Sequence, residues 1–283
     1  MINNCKICKA NSTKIFAGKI LNKYIIDYFQ CNICHFIQTE HPYWFTESYS
    51  SAIASTDVGL VSRNISFQNN TAWIIKNYFD FKAKFLDYAG GYGLFVRLMR
   101  DDGFDFYRQD IYCENHFANH FDVSDNNEII NFELVTAFEV FEHLVNPIEE
   151  ISKIFAFTDS VVFSTELQPH NMMNLTDDWW YFAKETGQHV SFFTTKSLEV
   201  IAKKMSCYFY SNNRNLHIFT KNELFSNPFV EWENRNKKTV FIKNLYKIVK
   251  CIENKMSKKS NIIHLDSLLE KDYEFVKNKI NGD

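Results

Sequence analysis

The sequence predicts an α/β protein built on a doubly wound, mostly parallel sheet of seven strands. The first observation is that apolar, strand-like runs alternate with amphipathic helical runs from Lys84 onward, as parallel strands joined by helical crossovers do. The second is that the first of these runs ends in Asp87 and leads into a glycine-rich turn over residues 90–93. In an open parallel sheet such a turn marks a ligand crevice at the carboxyl ends of the strands.

Each strand of this sheet is assigned from a short apolar run. The predicted strands cover residues 84–87, 104–109, 133–138, 160–165, about 207–210 and 217–220, with one poorly marked strand between His116 and Ile130. The predicted helices are a lead-in helix over residues 64–81, the run from Leu94 that stops at Gly103, the run that follows Asn146-Pro147, and residues 195–205. Together they define a Rossmann-like domain over residues 43–222.

Residues 223–283 are predicted to form a helical C-terminal extension. It begins with a loop over residues 225–236 around Pro228, and an amphipathic helix with a lysine face follows from Thr239. A solvated helical face is the plain interpretation of the lysines. Docking onto a partner enzyme or an anionic membrane surface is the alternative.

Composition narrows the class of protein. The chain has 283 residues, of which 46% are hydrophobic, enough for one substantial core and a smaller appendage. A net charge of -3 gives no electrostatic footprint for a nucleic-acid partner. No apolar run approaches the roughly 18 residues of a transmembrane helix, and the N-terminus lacks the apolar core of a secretory signal. We therefore expect a cytoplasmic protein.

Four of the seven cysteines form two matched pairs, Cys5-x2-Cys8 and Cys31-x2-Cys34. Each pair places two thiolates on one tight turn, and two such turns supply a tetrahedral four-sulfur site. A reducing location favours metal binding over disulfides. The segment between the pairs contains strand-like runs, so residues 1–42 are predicted to be a zinc ribbon with the four cysteines as ligands of a structural Zn²⁺.

Three acidic residues, Asp87, Asp110 and Glu139, fall at the ends of predicted strands and so at one edge of the sheet. A carboxylate ahead of the glycines would repel a pyrophosphate but attract a cationic, amine-bearing ligand such as S-adenosylmethionine. A dinucleotide is the alternative, because Gly91-x-Gly93 half-satisfies its fingerprint. Val96, however, stands where that fingerprint requires a small residue.

The segment from Leu86 to Gly93 resembles the first motif of the class I S-adenosylmethionine-dependent methyltransferases, with Ala89 in place of the first glycine. The segment from Phe138 to His143 resembles the one that follows their fourth strand. With the N-terminal cysteine pairs, residues 1–222 are similar to methyltransferases of sugar and polysaccharide pathways. The resemblance implies a cofactor site formed by Asp87, Ala89, Gly91, Gly93, Asp110, Phe138 and Glu139, in which Asp110 holds the ribose and the last two flank the sulfonium.

Methyl transfer to a hydroxyl also requires removal of a proton, for which histidine is the usual agent near neutral pH. His189 is the preferred candidate, and His143 is the competitor whose other role would be to hold its loop. The aromatic run Trp179, Trp180 and Tyr181, with His170 nearby, is a candidate sugar-binding surface. A lid that packs these aromatics on the core explains the run equally well.

These features predict O-methylation of a sugar in the synthesis of a surface polysaccharide, such as a capsule or O-antigen. Carbon-methylating relatives carry a Tyr-x-Glu-His cluster, and the matching segment here, residues 186–189, keeps only the histidine. C-methylation of a nucleotide-linked keto sugar is the alternative reaction. A catalytically silent module that binds a glycan or a partner is the alternative from another class.

Overall fold

The computed structural model describes residues 3–49, 58–125, 131–169 and 179–235, together with residues 266, 268, 271, 272 and 275. Its strands are β1 (Asn3–Asn4), β2 (Asn11–Ile20), β3 (Tyr24–Cys31), β4 (Ile37–Thr39), β5 (Lys84–Tyr88), β6 (Asp105–Gln109), β7 (Leu134–Ala137), β8 (Ser160–Ser164), β9 (Ser191–Phe192), β10 (Tyr208–Ser211) and β11 (Leu216–Thr220). Its helices are α1 (Phe45–Ser48), α2 (Leu60–Tyr78), α3 (Leu94–Asp101), α4 (Pro147–Ile154) and α5 (Thr195–Lys204). Within the described ranges, no helix combines the length and the apolar character needed to cross a bilayer.

The central sheet has the order β10-β11-β8-β7-β5-β6. β6, β5, β7 and β8 run parallel, whereas β11 and β10 are antiparallel additions at one edge. Every residue of β7 and β8 is buried, because helices cover both faces of the parallel part. The described residues therefore form an α/β fold with a mixed, mainly parallel sheet, as the sequence predicts.

The described part of the sheet has six strands, where the sequence predicts seven. The strand expected between His116 and Ile130 is represented by a single parallel bridge from Asp122 to Arg108. Residues 126–130 lie outside the described ranges. The seventh strand therefore stays a prediction.

The switch point of the sheet lies at the carboxyl end of β5. The chain passes from β5 to β6 on one side and then crosses to β7 on the other side. Loops that leave in opposite directions open a crevice at that end of the strand. The glycine turn, which follows β5 directly, therefore lies in the crevice.

A second, antiparallel sheet has the order β1-β2-β3-β4-β9. The hairpin of β2 and β3 connects the two cysteine pairs, as predicted. Its last strand, β9, belongs to the other end of the chain and pairs through Ile37 with Phe192. The indole of Trp44 donates to the Gly187 carbonyl at 2.7 Å. The N-terminal segment is therefore packed onto the main domain rather than attached by a free linker.

The prediction of a loop over residues 225–236 is wrong, because residues 228–235 are helical. The side chain of Asn227 accepts a hydrogen bond from the backbone N–H of Phe229 at 3.0 Å. Pro228 then occupies the first turn, where its missing N–H is not needed. The same residues that suggested a break are a helix start.

Asp272, which lies in the segment predicted to form a C-terminal extension, contacts two arginines of α3. The Arg100 side chain donates to the two oxygens of this carboxylate from Nε and a terminal nitrogen, at 2.8 Å each, and Arg97 pairs with it at 3.0 Å. The Arg100 guanidinium also lies 3.7 Å from the centre of the Phe121 ring. The lysine-bearing helix predicted from Thr239 lies outside the described residues, so its partner surface stays a prediction.

Replacing Asp272 by alanine is expected to destabilise the protein by about 3 kcal/mol, because the buried guanidinium of Arg100 loses its bidentate partner and keeps only Asp105 and the Phe106 carbonyl. Chemical denaturation of the full chain measures this change. The matched control is Asp159→Ala, which removes the exposed pair with Lys221 and should change the free energy of unfolding by less than about 1 kcal/mol. Equal stabilities of the two variants would contradict the role given to Asp272.

Candidate functional site

The turn after β5 has a backbone that suits small residues. Ala89, Gly91 and Gly93 all have positive φ values, of 55°, 54° and 85°. Ala89 therefore takes up a left-handed conformation that costs a non-glycine residue roughly 1 kcal/mol. This is the position at which the resembled motif has its first glycine.

Gly90 is required for a different reason, which the sequence analysis did not identify. A Cβ at this position would lie 2.7 Å from Oδ2 of Asp87 and 2.9 Å from Cγ of Arg108. Both contacts are far inside van der Waals distance. The turn therefore closes directly over the two charged side chains below it.

Asp87 is a buried carboxylate at the end of β5. The Thr136 hydroxyl donates to its Oδ1 at 2.7 Å. Burial raises the pKa of Asp87 to about 7, and nearby Asp110 adds to the rise, while Thr136 and Arg108 oppose it. Among the described residues it forms no ion pair. An incoming cation would therefore find a negative charge that little else offsets.

Asp110 and Arg108 hold the two sides of the turn. Oδ2 of Asp110 accepts from the backbone N–H of Gly91 at 2.9 Å, and its Oδ1 accepts from the N–H groups of Tyr112 and Cys113 at 2.7 and 2.8 Å. Arg108 donates to the carbonyl oxygens of Gly91 and Cys113. Three backbone donors thus leave Asp110 about one of its four lone-pair sites for a ligand.

Arg108 was missed by the sequence analysis. Its guanidinium is buried and forms a two-point ion pair with the carboxylate of Asp122. The available signal was an arginine that directly follows the apolar residues Phe106 and Tyr107 in a predicted inner strand, a position where an unpaired charge is rare. The partner, Asp122, could not be identified because the strand predicted between His116 and Ile130 had no defined bounds or register.

Glu139 and Phe138 follow β7 at the same edge. The backbone N–H of Glu139 donates to Oγ of Ser164 at 2.7 Å, and that hydroxyl donates back to Oε1 of Glu139 at 2.8 Å. Arg63 of α2 lies 3.4 Å from Oε2 of Glu139. Phe138 stacks on Phe67 with ring centres 4.2 Å apart. The three acidic residues predicted for this edge therefore lie along it, at the ends of β5, β6 and β7.

His143 and His189 come together from two separate loops. Their rings meet edge to face with centres 4.9 Å apart. Nδ1 of His189 lies 2.7 Å from the Tyr181 carbonyl, and Nδ1 of His143 lies 2.9 Å from the Tyr49 hydroxyl. Burial is the main factor that lowers the pKa of His143 to about 3 and that of His189 to about 4. Both imidazoles are therefore neutral near pH 7.

Glu142, which precedes His143 in the chain, lies directly against this pair. Its side chain is completely buried, and neither carboxyl oxygen has a hydrogen-bond partner among the described residues. Burial and the charge of Glu139 raise the pKa of Glu142. The Tyr181 hydroxyl is near enough to lower this pKa but is not in hydrogen-bonding geometry. Ligand atoms of Glu142, His143 and His189 all lie within 4.8 Å of one another.

The predicted sugar-binding aromatics divide into two groups. Trp179 and Tyr181 pack against Phe182 and Phe192, as the lid interpretation expects. Trp180 is 70% exposed and is free to stack on a ligand. His170 lies outside the described residues. A cavity of about 390 Å³ opens elsewhere, between α2 and residues 212–216, and is lined by neither the glycine turn nor the histidine pair.

The four predicted zinc ligands converge. The sulfur atoms of Cys5 and Cys34 are 3.6 Å apart, those of Cys8 and Cys31 are 3.3 Å apart, and all four lie within 4.8 Å of one another. Tetrahedral bonds of about 2.3 Å from zinc to sulfur require sulfur atoms about 3.8 Å apart. Backbone N–H groups in each turn also point at Cys5 and Cys31. These residues fit a four-sulfur zinc site.

Comparison with known proteins gives one family and several similar structures. The family described as "Methyltransferase domain" matches residues 66–207. Similar solved structures include the plantazolicin methyltransferase BpumL in complex with a monoazolic desmethylPZN analogue and SAH, with 8% identity, a TM-score of 0.41, and coverage of 64% of this chain and 93% of that chain. An O-methyltransferase family 2 protein from Planctomyces limnophilus in complex with apigenin has 10% identity, a TM-score of 0.42, and coverage of 62% of this chain and 65% of that chain. An O-methyltransferase family protein from Burkholderia thailandensis has 11% identity, a TM-score of 0.39, and coverage of 64% of this chain and 68% of that chain.

No curated protein sequence matches this chain. The family match spans half of the chain and includes the glycine turn, the acidic strand ends and both histidines. The chain therefore belongs to the methyltransferase domain family, and it is an S-adenosylmethionine-dependent methyltransferase of the class I fold.

Proposed function

We propose that the protein transfers a methyl group to a hydroxyl of a sugar during the synthesis of a surface polysaccharide. The observation that supports this most is the pair of neutral imidazoles, His143 and His189, beside the carboxyl edge that carries Asp87 and Glu139. The exposed ring of Trp180, next to buried Tyr181, offers a flat surface on which a sugar ring can stack. The acceptor is thus proposed to lie between Trp180 and the histidines.

The cofactor roles follow from charge and space. Asp87 would bind the ammonium group of S-adenosylmethionine. This positive charge would stabilise the ionised form of Asp87, which burial disfavours. Ala89, Gly91 and Gly93 would contact the methionine and adenosyl parts through their backbone. Asp110 would hold the ribose through its remaining lone pair, and Phe138 and Glu139 would flank the sulfonium.

The reaction is an in-line displacement, in which most of the acceleration comes from alignment. The acceptor oxygen forms a bond to the methyl carbon as the bond from carbon to sulfur breaks. The hydroxyl proton must also leave. Because Nδ1 of His189 faces a carbonyl oxygen, that nitrogen carries the hydrogen and Nε2 is the free acceptor predicted to take the proton.

C-methylation of a keto sugar is the second candidate. The sequence lacks the contiguous Tyr-x-Glu-His cluster, but Tyr181, Glu142 and His189 bring the same three residue types together from separate segments. The two reactions differ in the product, because a new methyl group is bonded to oxygen in one and to carbon in the other.

We further propose that residues 1–42 are a zinc ribbon with Zn²⁺ at the four cysteines, that residues 43–222 form the catalytic domain, and that residues 223–283 are an extension. All four zinc positions would be filled by protein, which makes this metal structural. Because β4 pairs with β9, the ribbon would support the loop that carries His189.

Cells that express the protein are expected to carry surface glycans heavier by 14 daltons per modified sugar than cells that lack it. Mass spectrometry detects the difference, and nuclear magnetic resonance distinguishes a methyl group on oxygen from one on carbon. Complementation with His189→Ala should not restore the mass increment, whereas His41→Ala, which alters an exposed histidine of the ribbon, should restore it. Identical glycan masses with and without the protein would refute the sugar acceptor.

Asp87→Asn is expected to abolish cofactor binding and yet stabilise the protein at high pH. The folded pKa of about 7 lies above the ordinary value near 3.8, so burial of the charge destabilises the fold progressively as pH rises from 4 to 7. Asparagine should therefore add up to about 4 kcal/mol at pH 8 and almost nothing at pH 4. Thermal unfolding at both pH values and isothermal titration with S-adenosylmethionine measure the two effects. The control is Asp101→Asn at a surface ion pair, and tight cofactor binding by Asp87→Asn would contradict the assignment.

Cys34→Ser is expected to remove one equivalent of zinc per chain relative to the wild type, as measured by atomic absorption. Hydrogen exchange should become faster over residues 3–42 and also over residues 187–192, because the ribbon and β9 share one sheet. Cys207→Ser, at a cysteine between α5 and β10, is the control and should keep both properties. An unchanged zinc content in Cys34→Ser would rule out the four-cysteine site.

A further inference from the structure

The side chains of Glu142, His143 and His189 form a second cluster of possible metal ligands, separate from the four cysteines and with oxygen and nitrogen donors in place of sulfur. They come from the loop after β7 and the loop before β9, and their ligand atoms lie within 4.8 Å of one another. The backbone N–H of Val190 donates to the Glu142 carbonyl at 2.8 Å, which fixes the two loops against each other. One carboxylate and two imidazoles are a donor set for divalent Mn, Fe or Zn.

Glu142 supplies the independent observation. Its carboxyl group is fully buried and both oxygens lack a hydrogen-bond partner in the described part of the chain. Such a group is costly unless a cation or several donors face it. The groups near it are Glu139, which is also acidic, the Tyr181 hydroxyl, the two imidazoles, and the guanidinium of Arg63, whose charge opposes the rise in the pKa of Glu142 without cancelling it. The ion pair of nearby Arg63 is with Glu139, at 3.4 Å. The cluster thus presents negative charge and lone pairs to a shared point.

The imidazoles are also held in place as metal ligands commonly are. His189 is oriented by the Tyr181 carbonyl at Nδ1, which leaves Nε2 as the free ligand atom. His143 is oriented by the Tyr49 hydroxyl at 2.9 Å. Hydrogen bonds of this outer kind fix the ring orientation and increase the basicity of the ligand nitrogen.

We propose that Glu142, His143 and His189 bind one divalent first-row transition metal ion, and that the acceptor hydroxyl of the proposed reaction coordinates to it. This inference rests on the proposed function. A coordinated hydroxyl loses its proton more readily. The proton passes to solvent water, the oxygen forms its bond to the methyl carbon, and the bond from carbon to sulfur breaks with its electron pair remaining on sulfur. His189 then acts as a ligand, in place of the base predicted for it, because a nitrogen bound to a cation cannot accept a proton.

Binding of Mn²⁺ tests the site directly. Manganese is chosen because its preference for oxygen and nitrogen ligands keeps it away from the four thiolates. The full-length, zinc-loaded chain is titrated with Mn²⁺ while electron paramagnetic resonance reports the free ion. About one Mn²⁺ should bind per chain, and Glu142→Gln and His189→Ala should each weaken binding at least tenfold. Glu149→Gln, at an exposed glutamate paired with Lys153, and His41→Ala are the matched controls and should bind as the wild type does.

Thermal unfolding separates loss of the site from loss of the fold. Glu142→Gln removes a buried charge, so without Mn²⁺ it should melt at or above the temperature of the wild type. Mn²⁺ should raise the melting temperature of the wild type and leave that of Glu142→Gln unchanged. A wild-type chain that binds neither Mn²⁺ nor Zn²⁺ beyond the equivalent held by the cysteines would overturn the proposal. Equal Mn²⁺ affinity in Glu142→Gln would overturn it as well.

The proposed function and the metal site fail in different ways. A chelator can remove the ion from Glu142, His143 and His189. If the chain still binds S-adenosylmethionine and methylates sugar after this treatment, the metal proposal is wrong and the function stands. If the chain binds Mn²⁺ through these residues but no glycan gains 14 daltons, the cation site stands and the sugar acceptor is wrong.

Discussion

Burying a carboxylate at the end of a strand is unfavourable unless a cation accompanies it. This chain buries two carboxylates at one edge of its sheet. Asp87 ends β5 and Glu142 follows β7, and burial raises the pKa of both. Neither forms an ion pair among the described residues. Folding alone therefore offsets the charge of these two carboxyl groups only in part, and ligands that carry positive charge gain affinity from that imbalance. In this protein stability and ligand binding are two consequences of the same electrostatic constraint.

Hydrogen bonds connect neighbouring strand ends along the edge that carries these groups. The Gly91 N–H donates to Asp110, the Thr136 hydroxyl to Asp87, and the Ser164 hydroxyl to Glu139, so each strand end is fixed to a neighbour. Arg108 holds the glycine turn in place by donating hydrogen bonds to the carbonyl oxygens of Gly91 and Cys113. The acidic residues thus have a structural role even without a ligand. A site assembled in this way is held rigid before anything binds, which reduces the entropy lost on binding.

Local patterns made part of this site predictable from the sequence. A strand, an acid and a glycine turn are adjacent in the chain, and paired cysteines have a recognisable spacing, so both could be read without tertiary information. Arg108, the burial of Glu142 and the contact of Asp272 with Arg100 depend on partners distant in sequence. β9 is only two residues long, too short for any periodic signal. The strand predicted between His116 and Ile130 is also poorly marked in the sequence, and one bridge from Asp122 is all of it that the described residues contain.

β9 links the N-terminal sheet to the loop that carries His189. The Thr39 N–H donates to the Val190 carbonyl, and the Val190 N–H donates to the Glu142 carbonyl, so one line of backbone hydrogen bonds runs from the N-terminal sheet to the acidic loop. His189 sits immediately before the residue that this line passes through. A shift of β4 therefore displaces His189 relative to His143 and Glu142, whose ligand atoms must stay within a few ångströms to act together. The N-terminal sheet, whose strand β3 ends at Cys31, is thereby linked through its backbone to the loop that carries His189.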